Sequence, residues 1–321
     1  MAGTTDFVAA QQVNRRNTVL LLAALTALAA SVGYLVGWVL EAGQASGVPA
    51  WSRVGVGLAG LMAIVSLGWS GVSLAFGDRM VLAMAGAHEI ASADAPQLYN
   101  VVEEMAIAAG VPMPRVMVVE TDALNAFATG TKAGSGTIAV TRGLLDTLNR
   151  DELQGVVAHE MAHLANLDTR YMVVVGVTVG LIALVCDGIL RSLRWGSFSR
   201  SSRSNSDGKS GGGGAALLVV LLLVVAVLAP IAAKFVQMAV SRQREYLADA
   251  TSVQFTRNPG GLISALGKLA DKAAPFPGVS RATQHLFIVN PVQTFTARSS
   301  ALLATHPDIA DRIARLRNLG A

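Results

Sequence analysis

The most informative part of the sequence is the stretch Asp151-Glu-Leu-Gln-Gly-Val-Val-Ala-His-Glu-Met-Ala-His163. It contains the pattern His159-Glu160-x-x-His163. Apolar residues recur in it at helical spacing and no proline interrupts them, so it predicts a helix with one apolar stripe. The stripe consists of Leu153, Val156, Val157, Met161 and Leu164.

On such a helix, His159 and His163 lie one turn apart on the same face, so both imidazoles can bind one metal ion. Glu160 lies about 100° around the helix from His159, which lets its carboxylate reach a water molecule instead of binding the metal. Two His ligands and a Glu general base are the arrangement of zinc hydrolases. A chance match is disfavoured because the chain has only five His.

The composition indicates a membrane protein. Hydrophobic residues make up 52% of the chain and charged residues 14%, with a mean hydropathy of +0.50. A soluble domain has about 25% charged residues. The net charge of +4 fits loops that set membrane topology, and no nucleic-acid motif is present, so we expect no nucleic-acid partner. The single Cys186 excludes an intrachain disulfide and a Cys-based metal site.

Two long apolar runs near the start of the chain predict a transmembrane hairpin. They cover Thr18–Leu40 and Val54–Phe76, and each is long enough to cross a bilayer, which takes about 20 residues. Arg15 and Arg16 precede the first run, so the positive-inside rule places the N-terminus in the cytoplasm. After two crossings, the chain from residue 77 onward is expected in the cytoplasm as well.

Two further apolar runs cover Tyr171–Leu190 and Ala215–Val240, and a Ser/Gly-rich linker at 196–214 separates them. Basic residues between 191 and 209 conflict with the positive-inside rule if both runs cross the bilayer. Three arrangements therefore stay open: two full crossings, a shallow re-entrant hairpin, or runs packed partly on protein. The basic cluster is interpreted as a solvated face or a contact with lipid headgroups.

A catalytic zinc site takes three protein ligands, and the third is expected after the fourth apolar run. Glu245 and Asp249 are four residues apart and share one helical face. Glu245 is the candidate ligand, and Asp249 is placed to hydrogen-bond a ligand imidazole from behind. The alternative is a solvated, charged helix with no role in the site.

With these motifs, the sequence resembles the HtpX-type membrane metalloendopeptidases, which are kin to the CAAX prenyl-protein endopeptidases. The matching motifs run in the family's order from residue 14 to 313, and the linker at 196–214 is a departure that touches none of them. They are Asn14–Thr18, Asn125–Gly130, His159–His163 with Asn166 and Asp168, Arg244–Asp249, His285–Pro291, Thr305–Pro307 and Arg312-Ile313.

The resemblance implies one Zn²⁺ per chain, bound by His159, His163 and Glu245, with Glu160 as the general base. It also implies a protease that cuts misfolded or damaged membrane proteins in quality control. Its partners would be unfolded or membrane-protein polypeptides and the lipid bilayer. Its active site would face the cytoplasm from a prokaryotic plasma membrane.

The predicted fold class is a mainly α integral membrane protein. It has four hydrophobic helices and a cytoplasmic, zincin-like α+β metalloprotease domain with a small edge-strand sheet. The predicted strands are Val116–Val119, Asn125–Gly130 and Thr137–Val140, after a helix at Ala95–Ala109. The expected divisions are a polar lead (1–17), the hairpin (18–76), a first catalytic segment (77–170), the second hydrophobic hairpin (171–240) and a second catalytic segment (241–321).

In the predicted mechanism, metal and Glu160 activate a water molecule together, and Glu160 passes the proton to the leaving amine. The peptide substrate is expected to bind as an extended strand through main-chain hydrogen bonds. Asn125 is also a candidate to bind a substrate carbonyl through its amide. The predicted substrate strand consists of Asn125, Ala126, Phe127, Ala128 and Thr129.

Four other polar residues receive separate interpretations. His306 is a candidate catalytic residue that steadies the oxyanion, although a local cap before Pro307 is an equal alternative. Arg312 is a candidate to support the site from behind the ligands. His285 is interpreted as structural. Asp168 is interpreted as an interfacial or capping residue, and contact with a metal ligand is the less favoured alternative.

Three competing functions are weighed against a zinc endopeptidase. A catalytically silent metal-binding scaffold is disfavoured because it has no need of Glu160. A transporter is disfavoured because the apolar runs lack paired charges at mid-depth. A CAAX-type prenyl-peptide endopeptidase is disfavoured because the kin that perform that reaction are larger and have more spans.

Overall fold

The computed structural model describes residues 7–42, 50–131, 134–174, 242–271 and 307–319. In these ranges most residues are helical, and one small sheet is present. The helices are α1 (Phe7–Ala42), α2 (Arg53–Ala85), α3 (Pro96–Ala109), α4 (Arg142–Thr147), α5 (Arg150–Ala165), α6 (Arg242–Thr256), α7 (Pro259–Asp271) and α8 (Ile309–Leu319). The strands are β1 (Ala87–Glu89), β2 (Arg115–Val119), β3 (Ala126–Thr129) and β4 (Thr137–Thr141).

The chain divides into two compact units. One contains Ser73–Val177 and Val236–Ala321 together with Met1–Thr18. The other contains Val19–Val72 and Thr178–Phe235. The first unit therefore draws on chain segments from both sides of the third and fourth apolar runs.

Among the described residues, α1 and α2 are the two helices that are long and apolar enough to cross a membrane, and most of their residues belong to the second unit. They approach closely where small residues meet: a Cβ on Gly37 would lie 2.6 Å from the Cα of Gly55. Ser52 caps the start of α2, because its hydroxyl accepts a hydrogen bond from the Gly55 amide at 2.8 Å. Glu41 accepts a hydrogen bond from the Ser52 hydroxyl and so ties the two helix ends together.

Both membrane-type helices are longer than the apolar runs predict. The sequence predicts Thr18 as the start of the first, but α1 begins at Phe7 because no proline or glycine separates the polar lead from the run. The second continues past Phe76 to Ala85 and stops before Gly86, whose φ of 67° favours glycine. The third and fourth predicted runs lie outside the described residues, except for residues 171–174, which are helical.

The sheet of the first unit has the strand order β1-β2-β4-β3. β2 and β4 are parallel, and the other two neighbouring pairs are antiparallel. Three strands agree with the sequence prediction within one residue at each end. β1 was not predicted, because its sequence Ala-His-Glu is too short and too exposed to show strand alternation. β3 lies at one edge of the sheet.

Helix α5 is the centre of this unit. It packs against α3, α6, α7 and the β3 and β4 strands. The sequence predicts one buried apolar stripe, but burial extends further around the helix, because 12 of the 16 residues of α5 are buried. The approach of α7 is close: a Cβ on Gly155 would lie 2.6 Å from the backbone nitrogen of Leu262. The residues of the metal motif are thus held on all sides by packed elements.

The start of α5 is fixed by a capping box that the sequence analysis did not use. The Asn149 side chain accepts a hydrogen bond from the Glu152 amide at 3.0 Å, and the Asn149 amide donates to the Glu152 carboxylate at 2.8 Å. Ser264 and Lys268 on α7 each donate to the same carboxylate at 2.6 Å. Burial would raise the pKa of Glu152, but Lys268, Ser264 and the Asn149 amide outweigh it and leave that pKa below its ordinary value.

We expect Lys268→Met to destabilise the protein in a pH-dependent way. At pH 7 it leaves the Glu152 carboxylate buried without its cation, which costs about 2 kcal/mol when discounted for the partial exposure of Lys268. Because the pKa of Glu152 is lowered in the folded state, the pair stabilises above the unfolded-state pKa of about 4.3. That stabilisation disappears as pH falls through the folded-state pKa. Thermal unfolding in detergent from pH 8 to pH 4 measures the difference between variant and wild type.

The control is the same substitution in a Glu152→Gln background. There the carboxylate is absent, so the cost of Lys268→Met should not vary with pH. A cost that is equally pH-independent in both backgrounds would contradict the ion-pair explanation.

Candidate metal centre and active site

Three buried side chains converge in the first unit. His159 and His163 come from α5, and Glu245 comes from the first turn of α6. Each has at most 5% of its surface exposed. One ligand atom from each lies within 4.8 Å of the other two. The structure therefore brings together the three residues that the sequence analysis selected as metal ligands.

The spacing of the ligand atoms fits one metal ion. The Nε2 of His159 lies 3.6 Å from one Glu245 oxygen, and the Nε2 of His163 lies 3.7 Å from the other. These distances are long for hydrogen bonds. Two ligands of a tetrahedral ion with bonds of about 2.0–2.1 Å lie roughly 3.3 Å apart, so a small closure of the three groups completes such a site. Two imidazoles and one carboxylate are also a common catalytic zinc set.

Each metal-site imidazole is held from behind by a carboxylate. The Nδ1 of His159 lies 2.9 Å from Asp249 Oδ1, and the Nδ1 of His163 lies 3.1 Å from Asp168 Oδ2. A hydrogen bond donated from Nδ1 selects the tautomer whose Nε2 carries the lone pair. In both rings that Nε2 faces Glu245. The protein thus orients both nitrogens toward the same point.

Arg312 of α8 lies at 0% exposure beside these groups. Its Nε donates to Asp249 Oδ2 at 2.9 Å and its Nη2 to Oδ1 at 2.6 Å, a bidentate pair. Its Nη1 lies 3.9 Å from Glu245, and its Nη2 lies 3.4 Å from both ring nitrogens of His159. Burial would raise the pKa of Asp249, but Arg312 and His159 outweigh it and lower that pKa to about 2.

The charges of the site also act on His159. Burial and Arg312 would lower its pKa, but the carboxylates of Asp249 and Glu245 prevail and raise it to about 9. The pKa of His163 is raised as well, since Asp168 and Glu245 outweigh its burial. The pocket therefore favours positive charge at the point where the two rings and Glu245 meet, which suits a cation.

Glu160 lies next to the two imidazoles on α5, with 3% of its surface exposed. Burial raises the pKa of its carboxyl, against the opposing effect of His159 and His163. Its carboxylate also accepts a hydrogen bond from the backbone amide of Ala128 on β3. A carboxylate with a raised pKa beside a metal-binding group can accept a proton at neutral pH, as a general base does.

The predicted substrate strand forms β3 and the residue before it. Thr141 donates its amide to the Asn125 carbonyl at 3.0 Å, so from there backbone groups point alternately toward β4 and toward the opposite edge of β3. Ala126 and Ala128 therefore direct their amides away from β4. In this structure the Ala126 amide donates to the Asn125 side chain at 3.0 Å, and the Ala128 amide donates to Glu160.

Two histidines that the sequence analysis weighed, His285 and His306, lie outside the described residues. Two residues of the site were not selected in the sequence analysis: Asp168, which was interpreted as interfacial or capping, and Arg244. The signal for Asp168 was the segment Asn166-Leu167-Asp168, where the helical pattern stops directly after the second His. The only sequence signal for Arg244 was its position directly before Glu245.

The model of peptidase family M48 matches residues 92–320 of the chain. The chain belongs to this family. A protease HtpX homolog of Thermoanaerobacter pseudethanolicus is 39% identical over 309 residues, covering 96% of each chain. Another from Syntrophobacter fumaroxidans is 42% identical over 310 residues, covering 95% of this chain and 99% of the relative.

A solved structure, the crystal structure of S. mikatae Ste24p, aligns with 98% of this chain and 66% of its own. Its TM-score of 0.44 and sequence identity of 15% support no conclusion about this chain. The family match and the HtpX relatives confirm the resemblance that the motifs predicted. The chain is a membrane metalloendopeptidase of family M48.

We expect Arg312→Met to destabilise the protein by about 3–5 kcal/mol, because it leaves Asp249 buried without the guanidinium. Denaturant unfolding of the metal-free protein in detergent measures the loss. Arg317→Met is the matched control, since Arg317 is exposed on the same helix, and its effect should stay within about 0.5 kcal/mol. Equal losses in the two variants would contradict a special role of the Arg312–Asp249 pair.

Proposed function

We propose that this protein is a zinc-dependent endopeptidase of a prokaryotic plasma membrane that cuts misfolded or damaged membrane proteins in quality control. The observation that carries the proposal is the buried group of His159, His163 and Glu245 with Glu160 beside it. Family M48 membership supports the metal and the peptide-bond chemistry. The HtpX relatives support the quality-control role.

In this proposal, His159, His163 and Glu245 hold one zinc ion. Zinc there would polarise the scissile carbonyl and lower the pKa of water. Glu160 accepts the proton of the attacking water, since its carboxyl has a raised pKa and lies beside both imidazoles. The same carboxyl then donates that proton to the leaving amine. The buried surroundings exclude bulk water from this transfer.

Arg312 and Asp249 support the site from behind the ligands, as their contacts with His159 and Glu245 indicate. His306 is proposed as a catalytic residue that steadies the oxyanion. The support for it is its place in the sequence, shortly before α8, the helix that brings Arg312 to the site.

The substrate peptide is proposed to bind in an extended form along the free edge of β3. The support is the position of β3 at the end of the sheet and the outward direction of the Ala126 and Ala128 amides. The Ala128 amide already contacts Glu160, so a peptide on this edge lies next to the general base. Main-chain recognition tolerates many sequences, which suits a protease with varied substrates.

The proposed topology keeps both catalytic segments, 77–170 and 241–321, in the cytoplasm, with the hydrophobic segments 18–76 and 171–240 before and between them. Its supports are Arg15 and Arg16 before α1, and the shared compact unit of the two catalytic segments. In this topology the second hydrophobic hairpin returns the chain to the same side of the membrane, whether or not its two runs cross fully.

We expect Glu160→Gln to abolish cleavage while zinc stays bound, because the amide keeps the shape of the side chain but cannot accept the proton. Purified protein in detergent is tested on an unfolded casein-type substrate and on a destabilised membrane protein. Cleavage and bound zinc are measured with and without a zinc chelator. The expected loss of rate is at least about 10²–10⁴-fold.

Zinc-dependent cleavage that is lost in Glu160→Gln with full zinc content supports the proposal. Bound zinc without cleavage by the wild type, on substrates that include a prenylated peptide, would favour a metal-binding scaffold. Cleavage of the prenylated peptide alone would favour the CAAX-type alternative. An absence of zinc in both proteins would refute the proposed metal site.

We also expect Ala126→Pro to raise KM by about tenfold, with less effect on kcat and none on zinc content. Proline removes the outward amide of an edge strand without breaking a bond to β4. Ala126→Gly is the matched control, since it keeps the amide at the same position. Steady-state kinetics on the casein-type substrate measure the effect, and an unchanged KM in the proline variant would rule out the strand mode at this position.

A further inference from the structure

We propose that Asp168 and Arg244 are positioning residues for the metal site: Asp168 holds the His163 imidazole, and Arg244 holds Asp168. The inference rests on the proposed function, because it concerns the same site. It assigns roles to Asp168, for which contact with a metal ligand was the less favoured interpretation of the sequence, and to Arg244, for which the sequence predicted no role in the site.

The contact between His163 and Asp168 is short and shielded from water. The Nδ1 of His163 lies 3.1 Å from Asp168 Oδ2, and the two side chains are 6% and 3% exposed. A proton on Nδ1 bonded to this carboxylate leaves the Nε2 lone pair directed toward Glu245, 3.7 Å away. Fixing the tautomer and the ring angle in this way raises the affinity of a His ligand for its metal.

The backbone between the two residues is strained in a way that produces this contact. Leu167 has a φ of 57° and is 5% exposed. A leucine in the left-handed region is unfavourable, because its Cβ crowds the following carbonyl oxygen. This turn ends α5 at Asn166 and starts a new helical segment at Asp168, which folds the carboxylate back onto His163.

Arg244 approaches Asp168 from the second catalytic segment of the chain. Its Nε lies 3.8 Å from Asp168 Oδ1, and its side chain is 15% exposed. Its guanidinium also lies over the Tyr171 ring, 4.4 Å from the centroid. Asp168 and Tyr171 belong to the same helical segment, so Arg244 fixes that segment to α6 next to Glu245.

The result parallels the arrangement on the other imidazole. There, His159 contacts Asp249 at 2.9 Å, and Asp249 accepts two hydrogen bonds from Arg312. Each metal-site His thus has a carboxylate behind it, and each carboxylate has an arginine from another segment. Both imidazoles are oriented by the protein rather than by the metal alone. We therefore expect Asp168 to affect metal affinity as Asp249 does.

The test measures zinc affinity directly. Wild type, Asp168→Ala, Asp168→Asn and Arg244→Gln compete for zinc with a chromogenic chelator, and absorption spectra of the cobalt-substituted proteins report the coordination geometry. We expect Asp168→Ala to weaken zinc binding by about 10–100-fold and to alter the cobalt spectrum. Arg244→Gln should weaken it by about threefold, since it acts through Asp168. For Asp168→Ala and Arg244→Gln at saturating zinc, we expect the fold-decrease in kcat to exceed the fold-change in KM.

Glu152→Gln is the matched control, because Glu152 is another buried carboxylate at the opposite end of α5. It should lower the melting temperature while leaving zinc affinity within about twofold of wild type. Asp168→Asn keeps the size of the side chain. If the alanine variant does not fold, this variant tests whether Asp168 supports zinc binding. We expect at least about fivefold weaker zinc binding for it, since the amide lacks the charge.

Zinc affinity and cobalt spectra equal to wild type in Asp168→Asn, with only a lower melting temperature, would show a structural role and overturn the inference. A failure of the proposed function has a different signature: His163→Ala would bind zinc as tightly as the wild type. In that case the metal is held elsewhere, and the Asp168 variants would show no change either.

Discussion

The constraint on which this structure depends is the burial of charge. Among the described residues, the metal site of the first unit brings together the carboxylates of Glu160, Asp168, Glu245 and Asp249, each with at most 3% of its surface exposed. A buried carboxylate without a partner is costly, so each must contact a cation or a hydrogen-bond donor. Arg312 and Arg244 supply two positive charges from separate chain segments. A divalent ion between the imidazoles and Glu245 would balance the other two.

This need explains why α5 sits in the centre of the unit instead of on its surface. A helix with His159 and His163 on one face and apolar residues elsewhere can place a polar site inside packed layers. Its start is fixed by Asn149 and by the ion pair between Glu152 and Lys268, and its end by the strained turn at Leu167. A helix fixed at both ends holds its imidazoles in a constant orientation, which a metal site requires.

The sequence predicted the components of the site that depend on spacing within one helix. His159, Glu160 and His163 share a turn pattern, and Glu245 and Asp249 share another. Spacing was enough to select the first group, whereas Glu245 and Asp249 were selected because two His ligands need a third. Arg312 needed the resemblance to the family, since nothing in its own helix marks it. Asp168 was interpreted as a boundary residue, because helical periodicity ends at Asn166 and cannot show that the chain folds back.

The sequence likewise predicted those parts of the fold whose signal lies within a single helix or strand. Apolar length marked the first two membrane-type helices, but their true ends depend on local helix continuity, as Phe7 and Gly86 show. Short runs of apolar and small residues marked three of the four described strands. β1 was not predicted because three residues are too few to show a periodic pattern. Its pairing with β2 forms only in the assembled sheet.

The placement of β3 beside α5 connects recognition to chemistry. The two amides that face the free edge of β3 are satisfied internally, one by the Asn125 side chain and the other by Glu160. In the proposed mode of binding, an incoming peptide carbonyl competes with the Glu160 carboxylate for the Ala128 amide. Binding of the peptide along the edge would thus bring its main chain into contact with the same group that must accept the proton.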